Sequence, residues 1–176
     1  MIKNNIVLFI LVSLLSFALQ VWSLQARAVD YELPDVNGQT QSLEQYRGKW
    51  VIVNYWATWC TTCMKELPDL VAFHQSNKDK DAVVVGINFE DIGMEELSTF
   101  IEDESIPFPV LSSKPIPVTP LGPVPALPTT YIIDPEGKVV AGDVGIITQQ
   151  DLEDYIAREK AASTVAEKAT TKDDAS

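Results

Sequence analysis

Hydrophobic and polar residues follow one another along the middle of the chain in patterns that predict alternating strands and helices. Residues 51–56 and 82–89 are nearly continuous apolar runs rich in β-branched and aromatic side chains, which is typical of strands covered on both faces. Within residues 61–75 and 94–102, apolar side chains recur at three- and four-residue spacing, which predicts amphipathic helices. Residues 108–111 are predicted as a further short strand.

Turn signals in residues 31–50 predict a hairpin ahead of this alternating pattern. The dipeptides Asn37-Gly38 and Arg47-Gly48 both favour tight turns. Residues 42–46, between the two turn signals, fit one turn of helix. We therefore expect an N-terminal β-hairpin extension that leads into the first long strand.

A second hairpin and a last helix are predicted towards the C-terminus. Residues 129–134 and 139–143 have strand composition and flank a tight turn, and Thr148 can cap a helix that continues to about Lys160. Residues 161–176 are small, polar and charged, so we expect a disordered tail there. The folded domain is accordingly predicted to end near Lys160.

The segment from Ser112 to Pro128 contains six prolines, at positions 115, 117, 120, 123, 125 and 128. Each proline lacks a backbone donor and restricts the residue before it, so we predict an extended, polyproline-like loop. Strands and helices alternate before this loop, and a hairpin and a helix follow it. That order predicts an α/β domain, with a central mixed sheet and helices on both faces.

The first 28 residues have the composition of a secretion signal. Lys3 is followed by a nearly unbroken apolar run over 6–19, and residues 26–28 form a small-x-small cleavage pattern. We expect residues 1–28 to be a signal peptide or, if residues 6–24 remain attached, an uncleaved membrane anchor. Either alternative places the domain, residues 29–160, outside the cytoplasm, in a periplasmic or other extracytoplasmic location.

The charge of the chain narrows the range of its partners. Its 176 residues include 13 Lys and Arg against 25 Asp and Glu, for a formal net charge of −12 at pH 7. Nucleic acids and anionic lipid surfaces carry charge of the same sign, so we expect neither as a partner. Protein or other soluble partners fit better.

Cys60 and Cys63 are the two cysteines of the sequence, and they lie between a predicted buried strand and the start of a predicted helix. At this spacing on a first helical turn, two cysteines can close a small disulfide ring. The leading sulfur lies where unpaired N–H groups point, which favours the thiolate and makes Cys60 the attacking sulfur. Cys63 is expected to be more buried and to act as the resolving thiol.

Three other roles for the two cysteines need to be considered. A structural disulfide is possible in an oxidising compartment, although such bridges usually close longer loops. A zinc site needs more ligands than two cysteines and the single histidine, His74. Covalent haem attachment requires His after the second cysteine, and this position holds Met64. Thiol–disulfide exchange therefore remains the leading hypothesis, with no metal and no cofactor beyond the cysteine pair.

Residues 54–63, followed by Glu66 and Pro68, resemble the active-site segment of the thioredoxin fold. Within that fold the chain is most similar to the TlpA/ResA-like branch of extracytoplasmic thiol–disulfide oxidoreductases. Further matches span roughly residues 30–158, and they are Leu33-Pro34-Asp35 with Gly38, Leu127-Pro128-Thr129-Thr130, Ile133-Asp134 with Gly137, and Gly145.

The resemblance implies a substrate-binding edge across from the cysteines. Pro128 would be preceded by a cis peptide bond and face the disulfide, and Leu127 would offer backbone groups to an extended substrate segment, with Thr129 beside them. Trp56 and Trp59 are expected to flank the site, with Trp59 among its substrate contacts. The proline-rich loop stands where the family often has a short helix, which alters this side of the site.

The resemblance also assigns a base and a helix kink. Thioredoxin usually carries a buried Asp where this chain has Asn54, and in the TlpA/ResA-like branch a Glu at the position of Glu66 takes over. A partly buried Glu66 would have a raised pKa and could serve as base for the resolving thiol, although an exposed helix acid is the alternative. Pro68 would kink the first helix.

The function implied is reduction of disulfides in extracytoplasmic proteins, among which apocytochrome c is the family's common target. A membrane thiol–disulfide electron donor would then reduce the enzyme again. Alternatives are a disulfide oxidant or isomerase of the same fold, since Thr61-Thr62 leaves the potential open, and a non-enzymatic binding module. A thiol peroxidase is less favoured, because the positions that would need Thr and Pro hold Cys60 and Trp56.

Overall fold

The computed structural model describes residue 29 and residues 31–173, with side chains described as far as Val165. The predicted signal peptide or anchor, residues 1–28, lies outside the described residues. No helix in the described part of the chain is both long enough and apolar enough to cross a membrane.

The order of elements agrees with the pattern predicted from the sequence. The elements are β1 (Glu32–Pro34), β2 (Thr40–Ser42), a 3-10 helix (Leu43–Tyr46), β3 (Trp50–Trp56), α1 (Thr61–Asn77), β4 (Ala82–Phe89), α2 (Met94–Asp103), β5 (Val110–Ser113), β6 (Val118–Thr119), β7 (Gly122–Pro123), β8 (Thr129–Ile133), β9 (Val139–Val144) and α3 (Gln149–Asp173).

A five-stranded mixed sheet in the order β5-β4-β3-β8-β9 forms the centre of the fold. β3 pairs in parallel with β4, which pairs in parallel with β5, whereas β8 is antiparallel to both β3 and β9. Every residue of β3 and β4 is buried, which explains their unbroken apolar sequences. The predicted central mixed sheet is confirmed, and β1 and β2 form the expected N-terminal hairpin.

The two faces of the sheet are covered by different kinds of element. The buried apolar residues that the three α-helices contribute, such as Leu70, Phe73, Leu97 and Leu152, all belong to one core cluster. The opposite cluster is closed by the N-terminal hairpin, the 3-10 helix and the proline-rich segment. Within the described residues the α-helices therefore cover one face of the sheet, whereas the sequence predicted helices on both faces.

The proline-rich segment departs from the predicted unpaired loop. β6 and β7 pair as a short antiparallel hairpin, with Val118 opposite Pro123. The Tyr55 hydroxyl donates to Thr119 Oγ1 at 3.0 Å, and the Tyr131 hydroxyl donates to the Pro123 carbonyl at 2.7 Å. A two-stranded pairing tolerates proline because each strand needs partners on one edge only, and the two tyrosines supply further anchors from the sheet.

The last helix is longer than predicted. Thr148 caps it as expected, since Thr148 Oγ1 accepts from the Asp151 N–H at 3.2 Å and Asp151 Oδ2 accepts from the Thr148 N–H at 3.0 Å. The helix then continues to Asp173, so the prediction of a disordered tail from residue 161 is wrong for most of that segment. Residues 157–173 contain no Gly or Pro and are rich in Ala, Lys and Glu, whose helix propensity extends α3 beyond its buried face.

Candidate active site

The cysteine pair lies at the N-terminus of α1, at the edge of the sheet where β3 ends. Cys60 and Cys63 form a disulfide, with an S–S distance of 2.11 Å and Cα atoms 5.3 Å apart. Cys60 is the N-cap of α1, and its Sγ accepts a hydrogen bond from the Cys63 N–H at 3.1 Å. In the reduced protein an N–H donor and the positive end of the helix dipole favour a Cys60 thiolate.

Burial around the pair differs in part from the expectation. Cys60 and Cys63 are 4% and 2% exposed in this oxidised state, so the expected difference in burial between them is small. Trp59 is 69% exposed directly beside Cys60, whereas Trp56 is buried and packs against Phe100. Trp59 therefore offers an apolar surface next to the disulfide, and Trp56 supports the site from the core.

The turn that leads into Cys60 is held by the carboxylate of Glu90, which was not among the predicted site residues. Glu90 Oε1 accepts from the main-chain N–H of Thr58 at 2.8 Å and from Asn88 Nδ2 at 2.7 Å. β3 and β4 are parallel, so the residues that follow them meet at one edge of the sheet. An acid directly after a buried strand was the available sequence signal.

Glu66 is fully buried, 0% exposed, so the alternative of an exposed helix acid is wrong. Its Oε1 accepts from Asn54 Nδ2 at 2.8 Å, and its Oε2 accepts from the main-chain N–H of Ile147 at 3.0 Å. Burial raises the pKa of Glu66 above its ordinary value, while these two hydrogen bonds act in the opposite direction. The carboxyl is thus fixed one helical turn beyond Cys63 with a perturbed affinity for protons.

The peptide bond between Leu127 and Pro128 is cis, as the resemblance implied. Pro128 is buried, and its carbonyl accepts from the Gly145 N–H at 2.9 Å. Leu127 is half-buried and packs against the core cluster that contains Cys60 and Cys63. Leu127 therefore packs against the cluster to which the cysteine pair belongs, although it lies far from the pair in sequence.

Thr129 is placed differently from the other predicted substrate contacts. It is 1% exposed, and its hydroxyl donates to the Ala126 carbonyl at 2.6 Å. Thr129 also pairs with Tyr55 of β3 and Val144 of β9, so neighbouring strands flank its backbone on both sides. We therefore expect Thr129 to hold the turn before β8 in place.

His74 serves the core. It is 4% exposed, its Nδ1 accepts from the Val84 N–H at 3.3 Å, and its ring packs edge-on against Phe108. Within residues 29 and 31–173, no group of three or more His, Cys, Asp or Glu residues is arranged to hold a metal ion. The chemistry-bearing groups at this edge of the sheet are the cysteine pair and the buried carboxyl of Glu66.

Known proteins share both the sequence and the fold. The AhpC/TSA family model matches residues 24–141. The thiol-disulfide oxidoreductase ResA of Bacillus subtilis is 32% identical over 131 residues, which cover 73% of this chain and 72% of that protein.

Solved structures of thiol–disulfide proteins are also similar to this chain. A DsbF homologue from Corynebacterium diphtheriae has a TM-score of 0.66 at 30% identity, covering 76% of this chain and 86% of its own. A secreted thiol-disulfide isomerase from Corynebacterium glutamicum has a TM-score of 0.66 at 26% identity, covering 73% and 81%. The chain therefore belongs to the AhpC/TSA family and is a thiol–disulfide oxidoreductase with the thioredoxin fold.

Proposed function

We propose that this enzyme works outside the cytoplasm and reduces disulfides in partner proteins through Cys60 and Cys63. The observation that carries the proposal is the redox disulfide at the N-terminus of α1, with the buried Glu66 carboxyl one turn further along the helix. The helix terminus favours the attacking thiolate, and the carboxyl supplies a proton acceptor that water does not reach.

The reaction runs in two exchange steps. The Cys60 thiolate attacks one sulfur of the partner disulfide, forming a mixed disulfide and releasing the other partner sulfur as a thiolate. Cys63 then passes its proton to Glu66, and the resulting thiolate attacks Cys60 Sγ. The second partner sulfur leaves as a thiolate, and the enzyme keeps the Cys60–Cys63 disulfide. A membrane thiol–disulfide donor reduces that disulfide in the reverse sense.

The partner segment binds along the edge formed by Leu127 and Pro128. An extended polypeptide there can pair with the backbone of Leu127 in the manner of an added strand, while exposed Trp59 covers apolar side chains next to the target cysteine. Disulfide-containing extracytoplasmic proteins are the substrate class, and oxidised apocytochrome c is the member that the family resemblance implies.

Secretion fits the N-terminal sequence. Residues 1–28 act as a signal peptide, or residues 6–24 remain as an anchor, and either route delivers the domain to an oxidising compartment. The similarity to a secreted isomerase supports that location. Fractionation of cells carrying the full chain, with protease added to intact spheroplasts, tests it: a cytoplasmic, protease-protected protein would contradict the proposal.

Trapping tests the reaction. Cys63→Ala removes the resolving thiol, so partner proteins should accumulate as mixed disulfides through Cys60, identifiable by mass. The double variant Cys60→Ser, Cys63→Ala is the matched control and should trap nothing. If Cys63→Ala forms no adducts in its native compartment, protein disulfides are not the substrate. A wild-type protein that fails to reduce insulin in the presence of a thiol reductant would instead favour a binding module with a structural disulfide.

The similarity to an isomerase makes an oxidant or isomerase the second candidate. Equilibration with glutathione distinguishes the directions. A potential near that of thioredoxin, about −270 mV, supports the reductant, whereas one near that of DsbA, about −120 mV, contradicts it.

A further inference from the structure

Asn54 has a polar side chain in the middle of the buried strand β3, and both of its amide hydrogens have partners. Nδ2 donates to Glu66 Oε1 at 2.8 Å and to Thr130 Oγ1 at 3.0 Å. Asn54 is 2% exposed, and Thr130 is 1% exposed. A buried amide held from two sides has a single orientation, so it presents its N–H to Glu66 without rearrangement.

We propose that Asn54 is a positioning residue of the exchange reaction, whose amide orients the Glu66 carboxyl and favours its ionised form, ready to take the Cys63 proton. The inference rests on the proposed function, since it assigns the control of protonation at the same site. Asn54 acts through Glu66 and exchanges no proton itself, because an amide cannot take the carboxylate's part in proton transfer.

The groups around Glu66 explain why the contact with Asn54 affects its ionisation. Burial alone favours the protonated form of the carboxyl, which cannot accept a proton. Two N–H groups oppose burial: the Asn54 amide at Oε1 and the main chain of Ile147 at Oε2. The charged neighbour that acts on Glu66 is Asp69 on α1, whose negative charge favours the protonated form. Ionisation of Glu66 therefore depends on two neutral hydrogen-bond donors. One is the main-chain N–H of Ile147, and the other is the side-chain amide of Asn54.

Asn54 also adjoins the thiol that Glu66 serves. A cavity of about 10 Å³ is lined by Asn54 and Cys63, together with Trp56, Met64, Leu67, Leu70 and Phe108. The Asn54 amide thus contacts Glu66 directly and lines the same cavity as Cys63.

The first experiment measures the titration of Glu66 directly in the oxidised full chain. Carbon-13 NMR of labelled glutamate carboxyls follows each midpoint, and the Glu66 signal is the one absent from Glu66→Gln. Asn54→Ala should raise the Glu66 midpoint by about one pH unit, the size expected for one lost hydrogen bond to a charged group. Asn88→Ala is the matched control, because this buried strand amide donates to Glu90 and not to Glu66.

An unchanged Glu66 midpoint in Asn54→Ala, or an equal shift in Asn88→Ala, would overturn the inference. If Asn54→Ala does not fold, the near-isosteric Asn54→Asp takes its place. Its new carboxyl would lie beside that of Glu66, and the pair should titrate in two well-separated steps. Two carboxyls that titrate together near their ordinary values would contradict the proposed contact.

The second experiment measures the resolving step. The rate of release of a model peptide from its mixed disulfide with Cys60 is recorded against pH. Asn54→Ala should move the acid limb of this profile up by about one pH unit, so that release is about tenfold slower below the wild-type midpoint. The pH profile of Glu66→Gln should lack this acid limb. The double variant Glu66→Gln, Asn54→Ala should release the peptide at the same rate as Glu66→Gln alone.

The outcomes separate the two proposals. A further slowing of the double variant by the same factor would show that Asn54 does not act through Glu66, which overturns this inference alone. A failure of Cys63→Ala to trap partner proteins rejects the proposed function, and the positioning role fails with it. In that case the NMR midpoint still establishes whether Asn54 controls the ionisation of Glu66.

Discussion

The main-chain N–H of Thr58 donates to Glu90 Oε1 at 2.8 Å, and this bond ties the turn before Cys60 to the end of β4. Asn88 Nδ2 donates to the same oxygen at 2.7 Å, so the carboxylate is itself held in place. The turn between β3 and α1 also carries the exposed Trp59. A side chain that directly follows β4 thereby fixes the turn between β3 and the redox pair at the start of α1.

Removal of this carboxylate should loosen the turn. Glu90→Ala leaves the partly buried Thr58 N–H without its acceptor, which should lower the free energy of unfolding of the oxidised protein by about 1–3 kcal/mol. Urea denaturation measures the change. Asp91→Ala is the control, because Asp91 is exposed and forms a surface ion pair with Lys114, worth about 0–1 kcal/mol. Equal effects of the two substitutions would contradict the holding role of Glu90.

Glu66 should make the stability of the oxidised protein depend on pH. Burial raises its pKa above the ordinary 4.5, so its contribution to stability is fully present below about pH 4.5 and is lost as the pH rises through the folded-state pKa. Relative to Glu66→Gln, the wild type should therefore lose free energy of unfolding as the pH is raised from 4.5. Denaturation curves of both proteins at several pH values measure the difference, and a constant difference would show that the pKa of Glu66 is unshifted.

The sequence predicted the elements whose signal is local. β3, β4 and α1 follow from apolar runs and periodicity, and the redox pair follows from its position between a strand and a helix. The contact between Glu66 and the Ile147 main chain could not be predicted, since it joins residues 81 positions apart and a backbone N–H leaves no mark on sequence. Asn54 was recognisable in the sequence as the polar residue within an apolar strand. Its hydrogen bond to Glu66 became apparent only from the fold.

Two of the errors in the predicted fold, in the proline-rich segment and in the tail, have different physical causes. The proline-rich segment was expected to be unpaired because proline lacks a donor, yet anchoring by Tyr55 and Tyr131 holds a short hairpin there. The tail after Lys160 was expected to be disordered because it has no apolar face. Its helix propensity extends α3 to Asp173 even so.

The hairpin of β6 and β7 should depend on its anchor from the sheet. Tyr55→Phe removes the hydroxyl that donates to Thr119 Oγ1 and should lower the free energy of unfolding by about 1 kcal/mol. Tyr46→Phe is the control: its hydroxyl has no hydrogen-bond partner in the described part of the chain, and the expected change is within about 0.5 kcal/mol. The Leu121 N–H donates to the same Thr119 Oγ1 at 3.3 Å, so hydrogen exchange of this amide should accelerate in Tyr55→Phe alone.

His74 should make the protein lose stability in mild acid. Its Nδ1 accepts from the Val84 N–H at 3.3 Å, and burial, followed by the charge of Lys78, lowers its pKa below the ordinary 6.5, although Asp79 opposes this. The unfolded chain therefore takes up a proton at a higher pH than the folded protein does. The stability that the neutral ring contributes is present above about pH 6.5 and is lost as the pH falls through the window below that value.

His74→Asn tests this dependence, because its amide oxygen can still accept a hydrogen bond but does not titrate. The sequence contains one histidine, so between pH 7 and pH 5 the free energy of unfolding of the wild type should fall more steeply than that of the variant. Urea denaturation at half-unit steps of pH measures both slopes. Parallel slopes would mean that His74 titrates alike in the folded and unfolded chains, and that its contact with Val84 does not depend on the neutral ring.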